Sequence, residues 1–368
     1  MSGLARNRSD SAGAPWPDGV VGDCFPVRIG LADRLWNDLL AYVPGADWTS
    51  LRHCVFVMLK PDCFVRRAHR ATWERLSRLG ATPLHVVRVE PDPGRWERLY
   101  QWNLSTLNPQ NMVGSWWLTA SVLNAGPSVA ALLALPEAAM SPAARIAAVK
   151  GPSDPYKASK GQLRHDLRAT NVAMNLVHSS DDPLSAAHEF LLFAEPADLR
   201  SALDAVERLA ADDRTRRHHR ALALLDDVAN EYPTCDVDPV ATLVALKEQV
   251  RATADNAVCV ATERCYEAYA GIAAGHQSPT GRWLAFCAVA QHERAALHAL
   301  SCADEATSLM TLLATPAGWG PKTVDEVLSV THRLGFSVAT WPRLVLETTW
   351  HYAERLPSLT EGAVACAE

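Results

Sequence analysis

Positive charge, paired cysteines and long apolar runs are all scarce in this sequence, and each shortage removes a class of function. Lys and Arg number 35 against 41 Asp and Glu, a formal net charge of −6 over 368 residues. That balance leaves no basic footprint for bulk nucleic acid. No stretch approaches the roughly 18 consecutive apolar residues of a membrane-spanning helix. Residues 1–22 lack the charged-then-apolar order of a secretory signal, so the expected compartment is cytoplasmic, with no membrane partner. The nine cysteines include no Cys-x-x-Cys pair; Cys54, Cys259 and Cys287 stand at apolar positions and read as reduced core residues. A metal cage is not apparent either. His292 and His298 fall roughly 240° apart around a predicted helix, unlike ligands spaced to share one face.

What the chain does have is length for two domains and a change of character part-way along. Residues 1–50 read as an extension, disordered in its first half, with a short amphipathic helix over 27–42. From residue 51, apolar strands alternate with helices: strands over 53–59, 84–89, 128–135 and 174–177, helices over 65–79, 95–102, 113–123, 142–149 and 183–193. This order suits an α+β fold, an antiparallel sheet with helices of the split βαβ, ferredoxin-like kind. Past residue 195 the strand signals stop. Helices are predicted over 197–231, 240–274, 282–313, 324–334 and 343–356, separated by Pro and Gly. The expected division is therefore an extension (1–50), an α+β domain (51–195) and an all-α domain (196–368).

Two segments carry chemistry. Phe56 to Asp62 reads as a buried strand that delivers Lys60 at its end, where Pro61 stops the ladder. Asn175 to Asp181 reads as a short apolar strand that delivers His178. Neutral imidazole is a nucleophile near neutral pH, and a partner on one ring nitrogen selects which nitrogen reacts. Phosphoryl transfer further needs cations around the phosphates, and Lys60, Arg145 and Arg164 stand at strand, helix and loop positions that could supply them. Singly, each has an ordinary structural explanation. Their order and spacing give them weight.

In that order the chain, from about 53 to 194, resembles the nucleoside diphosphate kinase family. Lys60-Pro61-Asp62 matches the family's Lys-Pro-Asp, with Arg66 where a family arginine follows. Ala125-Gly126-Pro127-Ser128-Val129-Ala130 is similar to Ser-Gly-Pro-Val-Val-Ala, and Gly151-Pro152-Ser153-Asp154-Pro155 to Gly-Glu-Thr-Asn-Pro, with Arg145 before it. Arg164-His165-Asp166 stands at Arg-Gly-Asp. Asn175-Leu176-Val177-His178-Ser179-Ser180-Asp181 resembles Asn-Ile-Ile-His-Gly-Ser-Asp, and Glu189 follows the histidine at the family spacing. The resemblance implies that His178 becomes a phosphohistidine in a ping-pong cycle, with Glu189 on its other nitrogen and Tyr100 and Ser180 beside it. It implies that Lys60, Arg145, Ser153, Arg164 and Asn175 contact phosphates or ribose. The substrates would be ATP or another nucleoside triphosphate, with Mg2+ carried on its phosphates rather than in a protein cage. Self-association is a further implication.

The departures concern the base slot. The segment between Tyr100 and Gly126 is longer than the family pattern, with 103–114 as the expected insert. Ser115 falls where the family stacks the base on an aromatic, leaving Trp116, with Trp117 beside it, as the candidate stacking surface. The expected activity is transfer of a γ-phosphoryl group through His178 to a nucleoside diphosphate or a specialised nucleotide-like acceptor. The alternative is a silent nucleotide-binding or scaffolding protein whose helical half contacts partners. In that half, the Arg214–Arg220 cluster is read as a solvated helix face, with a contact to an anionic substrate or phosphate as the alternative, and Tyr266, Tyr269, Trp283 and Phe286 as core.

Overall fold

A computed structural model describes residues 29–105, 116–275, 278–300, 304–315 and 318–357. The expected disorder near the N-terminus, Ser115 and most of the expected insert lie outside these residues.

The elements run α1 (Ile29–Tyr42), β1 (Cys54–Leu59), α2 (Pro61–Val65), α3 (His69–Arg78), β2 (Thr82–Val89), α4 (Pro93–Ser105), α5 (Trp116–Leu123), β3 (Ser128–Ala134), α6 (Pro142–Lys150), α7 (Leu163–Asp166), β4 (Val177–Ser179) and α8 (Pro183–Phe190). The four strands form one antiparallel sheet in the order β2-β3-β1-β4. That is the expected ferredoxin-like arrangement, with β3 slotted between β1 and β2. Serine or aspartate followed by proline starts several helices: Ser141 accepts from the Ala144 N–H for α6, and Asp182 from the Ser185 N–H for α8. The side-chain oxygen satisfies a free helix N–H, and proline at the first turn has no N–H to satisfy.

Both faces of the sheet are covered, which explains why β1 and β3 read as unbroken apolar runs. Val55, Val57 and Leu59 with Val129, Ala131 and Leu133 face Trp73, Leu76 and Ile146. Cys54, Phe56 and Met58 with Ala130 and Leu132 face Trp36, Trp96, Leu184 and Phe190. The alternation is the two-residue period of a pleated strand.

The remaining chain is helical: α9 (Pro196–Val206), α10 (Ala211–Asn230), α11 (Pro239–Arg251), α12 (Asn256–Ala274), α13 (Pro279–Ala299), α14 (Glu305–Leu313), α15 (Pro321–Arg333) and α16 (Thr340–His351). Three expected long helices are thus each broken in two. Helices α11 to α16 build a separate apolar cluster around Trp283, Phe286, Tyr269 and Trp350. Other parts of the helical chain complete the sheet's own cores. Ala221, Leu225 and Val228 of α10, together with Tyr232 and with Trp341, Leu344 and Val345 of α16, belong to the first cluster. Leu199 and Leu203 of α9 belong to the second.

Candidate active site

The site forms where the C-terminal end of β1 meets β4. Leu59 hands the chain to Lys60, whose N–H donates to the Leu176 carbonyl at 3.0 Å. The expected strand over 174–177 is displaced: β4 is Val177–Ser179. The physical reason is Leu176, whose φ of 73° lies in the left-handed region, a conformation that costs a branched residue roughly 1–2 kcal/mol. Its N–H donates to Asp62 Oδ2 at 2.7 Å, so the Lys-Pro-Asp segment holds the kink that aims β4.

Period-two alternation sends His178 to the Met58 face of the sheet and Ser179 to the Val57 face. His178 Nε2 lies 2.8 Å from Oε2 of Glu189, on α8. The carboxylate is 7% exposed and the imidazole 16%. Burial pushes the Glu189 carboxyl up, and His178 opposes that rise. With Glu189 on Nε2, the other nitrogen, Nδ1, is the one free to react. The Tyr100 ring lies 5.3 Å from the imidazole, and Trp116 lies 5.2 Å beyond Tyr100. The Trp116 indole thus backs the tyrosine, one ring removed from His178.

Two expected cations come together behind β4. Lys60 Nζ donates to Asn175 Oδ1 at 3.0 Å and to the Ala173 carbonyl. Burial lowers its pKa to about 8. Arg164 donates to the carbonyls of Asn175 (3.1 Å), Gly151 (2.7 Å) and Val177 (2.9 Å). It therefore ties the residue before His178 to the loop that carries Ser153, and burial lowers its pKa to about 10. Asn175 Nδ2 reaches the Ser153 carbonyl at 3.3 Å, while the Ser153 side chain is exposed.

Three expectations need correction or refinement. Arg145 does not join the site: its guanidinium donates to the carbonyls of Leu79 (2.6 Å) and Pro136 (2.8 Å). A helical side chain leans toward the helix N-terminus, and here that direction leads away from Gly151. Lys150 stands there instead. It lies about 140° further round α6 from Arg145, and its Nζ donates to Ser179 Oγ at 2.6 Å. Burial lowers Lys150 to about 8, with Arg164 adding to that and Asp181 and Glu189 opposing it. A lysine immediately before the loop glycine was the available signal. Ser180 binds backbone rather than the histidine pair, its Oγ accepting from the Phe56 N–H at 3.0 Å. Arg66 is also drawn elsewhere, to Thr170 Oγ1 at 3.2 Å and Asp236 at 3.6 Å.

Chemically, the arrangement offers an imidazole oriented by a buried carboxylate, and three largely buried cations linked through β4 and its flanking loops. Among the described residues no group of three His, Cys, Asp or Glu side chains could hold a metal, and no helix is long and apolar enough to cross a membrane.

Residues 53–199 match the family model described as nucleoside diphosphate kinase. The nucleoside diphosphate kinase of Metallosphaera sedula is 29% identical over 144 residues, covering 39% of this chain and 94% of that protein. That of Kosmotoga olearia is 26% identical over 144 residues, covering 39% and 90%. The crystal structure of Aquifex aeolicus nucleoside diphosphate kinase aligns at 22% identity with a TM-score of 0.33, covering 38% of this chain and 93% of that one.

Proposed function

We propose that residues 53–199, which match the nucleoside diphosphate kinase family model, move the γ-phosphoryl group of a nucleoside triphosphate through His178. The lone pair of Nδ1 attacks the γ-phosphorus, the bond from that phosphorus to the β,γ-bridging oxygen breaks, and the nucleoside diphosphate leaves with those electrons. Nε2 keeps its proton, donated to Glu189, so the imidazolium formed by phosphorylation faces a carboxylate. The second half-reaction runs in reverse onto an acceptor, a nucleoside diphosphate or a nucleotide-like diphosphate. Lys60, Arg164 and Lys150 balance the phosphate charge, with Ser153 and Asn175 as neutral contacts. Magnesium on the nucleotide's phosphates would neutralise further charge there.

The observation that carries this reading is the buried 2.8 Å pairing of His178 Nε2 with Glu189, which leaves Nδ1 open. A second reading, a nucleotide binder without turnover, draws on Arg164, whose guanidinium is engaged by three backbone carbonyls. Incubation with γ-labelled ATP separates them. The expected product is an acid-labile, alkali-stable label on the chain that vanishes in His178→Ala. Nucleotide binding with no label would favour the second reading.

A further inference from the structure

Lys60, assigned above to the phosphates, is shut away in this structure. It is 2% exposed, and its ammonium donates to the Ala173 carbonyl and to Asn175 Oδ1. An ammonium has three donors, so two are already spent. Both acceptors belong to one turn, residues 170–176. A phosphate can take those donors only when the turn gives them up.

The turn is held from within and from outside. Within it, Asn171 Oδ1 accepts from the N–H groups of Ala173 and Met174 at 3.0 Å, and the Met174 carbonyl accepts from the N–H groups of Thr170 and Asn171. Its far end is Leu176, at a left-handed φ of 73°, a strained conformation that persists only where its surroundings impose it. The outside hold comes from beyond the family match at 53–199. Asn171 Nδ2 donates to Thr348 Oγ1 of α16 at 2.8 Å, with both side chains buried. Thr348 in turn donates to the Leu344 carbonyl at 2.7 Å, which fixes its hydroxyl as an acceptor for Asn171. Tyr352, just past α16, packs with Ala173 and Leu118. Helix α16 is itself fixed, with Trp341, Leu344 and Val345 in the first core cluster and Leu346 and Trp350 in the helical one. The helix is the post; the turn is the part free to move.

We infer that α16 latches this turn over Lys60, so that the helical region sets the fraction of molecules able to take up phosphate. The inference rests on the phosphate role of Lys60 but not on turnover. If the open turn is a minority state of fraction f, the apparent dissociation constant is the intrinsic one divided by f. Breaking the latch therefore tightens binding, the opposite of what structural damage does. Calorimetric titration of the unphosphorylated full-length chain with inorganic tripolyphosphate tests this. Thr348→Val strands the Asn171 amide only while the turn is closed, and is expected to lower the dissociation constant about fivefold. Thr349→Val is the control. Thr349 is buried and its Oγ1 has no partner, so that change leaves the latch intact and the affinity unaltered. Amide exchange of the 170–176 segment in the unmutated chain supplies a second measurement: saturating tripolyphosphate is expected to speed it, because the bonds to Asn171 Oδ1 loosen. Unchanged or weaker binding by Thr348→Val, equal tightening in Thr349→Val, no binding by either chain, or slower or unaltered exchange overturns the latch. Label on His178 from γ-labelled ATP with neither shift removes the latch alone. Both shifts without label remove phosphoryl transfer and leave the latch standing.

Discussion

A histidine can carry a phosphoryl group only if one nitrogen is held and the other is presented, and the residues that would do this under the proposed function lie far apart in sequence. Glu189 fixes Nε2 from α8, Asp62 sets the kink before β4, and Lys60, Lys150 and Arg164 converge from three elements. The two lysines make the site pH-sensitive in a defined direction. Both are lowered to about 8 by burial, so each is a cation below that pH and is lost as one above it. The second-order rate of labelling should therefore fall as pH rises through about 8, and Lys150→Met should flatten part of that fall. Stability should move the opposite way. Between about 8 and the ordinary lysine value of 10.5 the unfolded chain binds more protons than the native one, so these groups make stability rise with pH across that window. A labelling rate that stays flat from about pH 7 to about pH 10 would remove the lysines from the mechanism. His178, Glu189 and Lys60 were legible because order and spacing announce them. Arg145 was misread and Lys150 missed because sequence distance from Gly151 says nothing of which side of α6 faces β4.

At the level of elements, β1 and β3 were legible as continuous apolar runs bounded by Pro and Gly. The start of β4 was not, since nothing local announces a left-handed leucine; Asp62, far upstream, holds it. The break between α9 and α10 was equally hidden, because Glu207-Arg208-Leu209-Ala210 contains neither glycine nor proline. Packing between separate elements supplied what the pattern lacked. The same holds for Lys247 on α11 and Glu293 on α13, both fully buried with Nζ and Oε2 2.6 Å apart. Tyr269 Oη donates to the same carboxylate oxygen at 2.7 Å. Burial lowers the Lys247 pKa, and Glu293 opposes the change. Removing one member strands the other's charge in the core, so Lys247→Met should cost about 3–5 kcal/mol in urea unfolding. The double variant Lys247→Met/Glu293→Leu should cost less than the single one. Equal losses in the two chains would mean that packing, not charge, sets the cost.

For the whole molecule, the decisive feature is that the helical region supplies part of the sheet's own core. Arg67, itself at a left-handed φ of 60°, donates to the carbonyls of Ala229 and Tyr232. Gly126 has no room for a side chain, since a Cβ there would sit 2.5 Å from Tyr232 Oη. A chain ending at residue 195 would bare the face that α10, Tyr232 and α16 cover. It should lose its cooperative melting transition and aggregate, while the full chain melts as a unit; sharp, reversible melting of the fragment would argue for an independently stable module. The placement of Trp341, Leu344 and Val345 against the sheet also bears on biosynthesis. At ordinary translation speeds roughly 10–30 s separate the last strand from α16. Through that interval the nascent sheet waits with an apolar face uncovered, which makes the emerging chain a natural client for a holding chaperone.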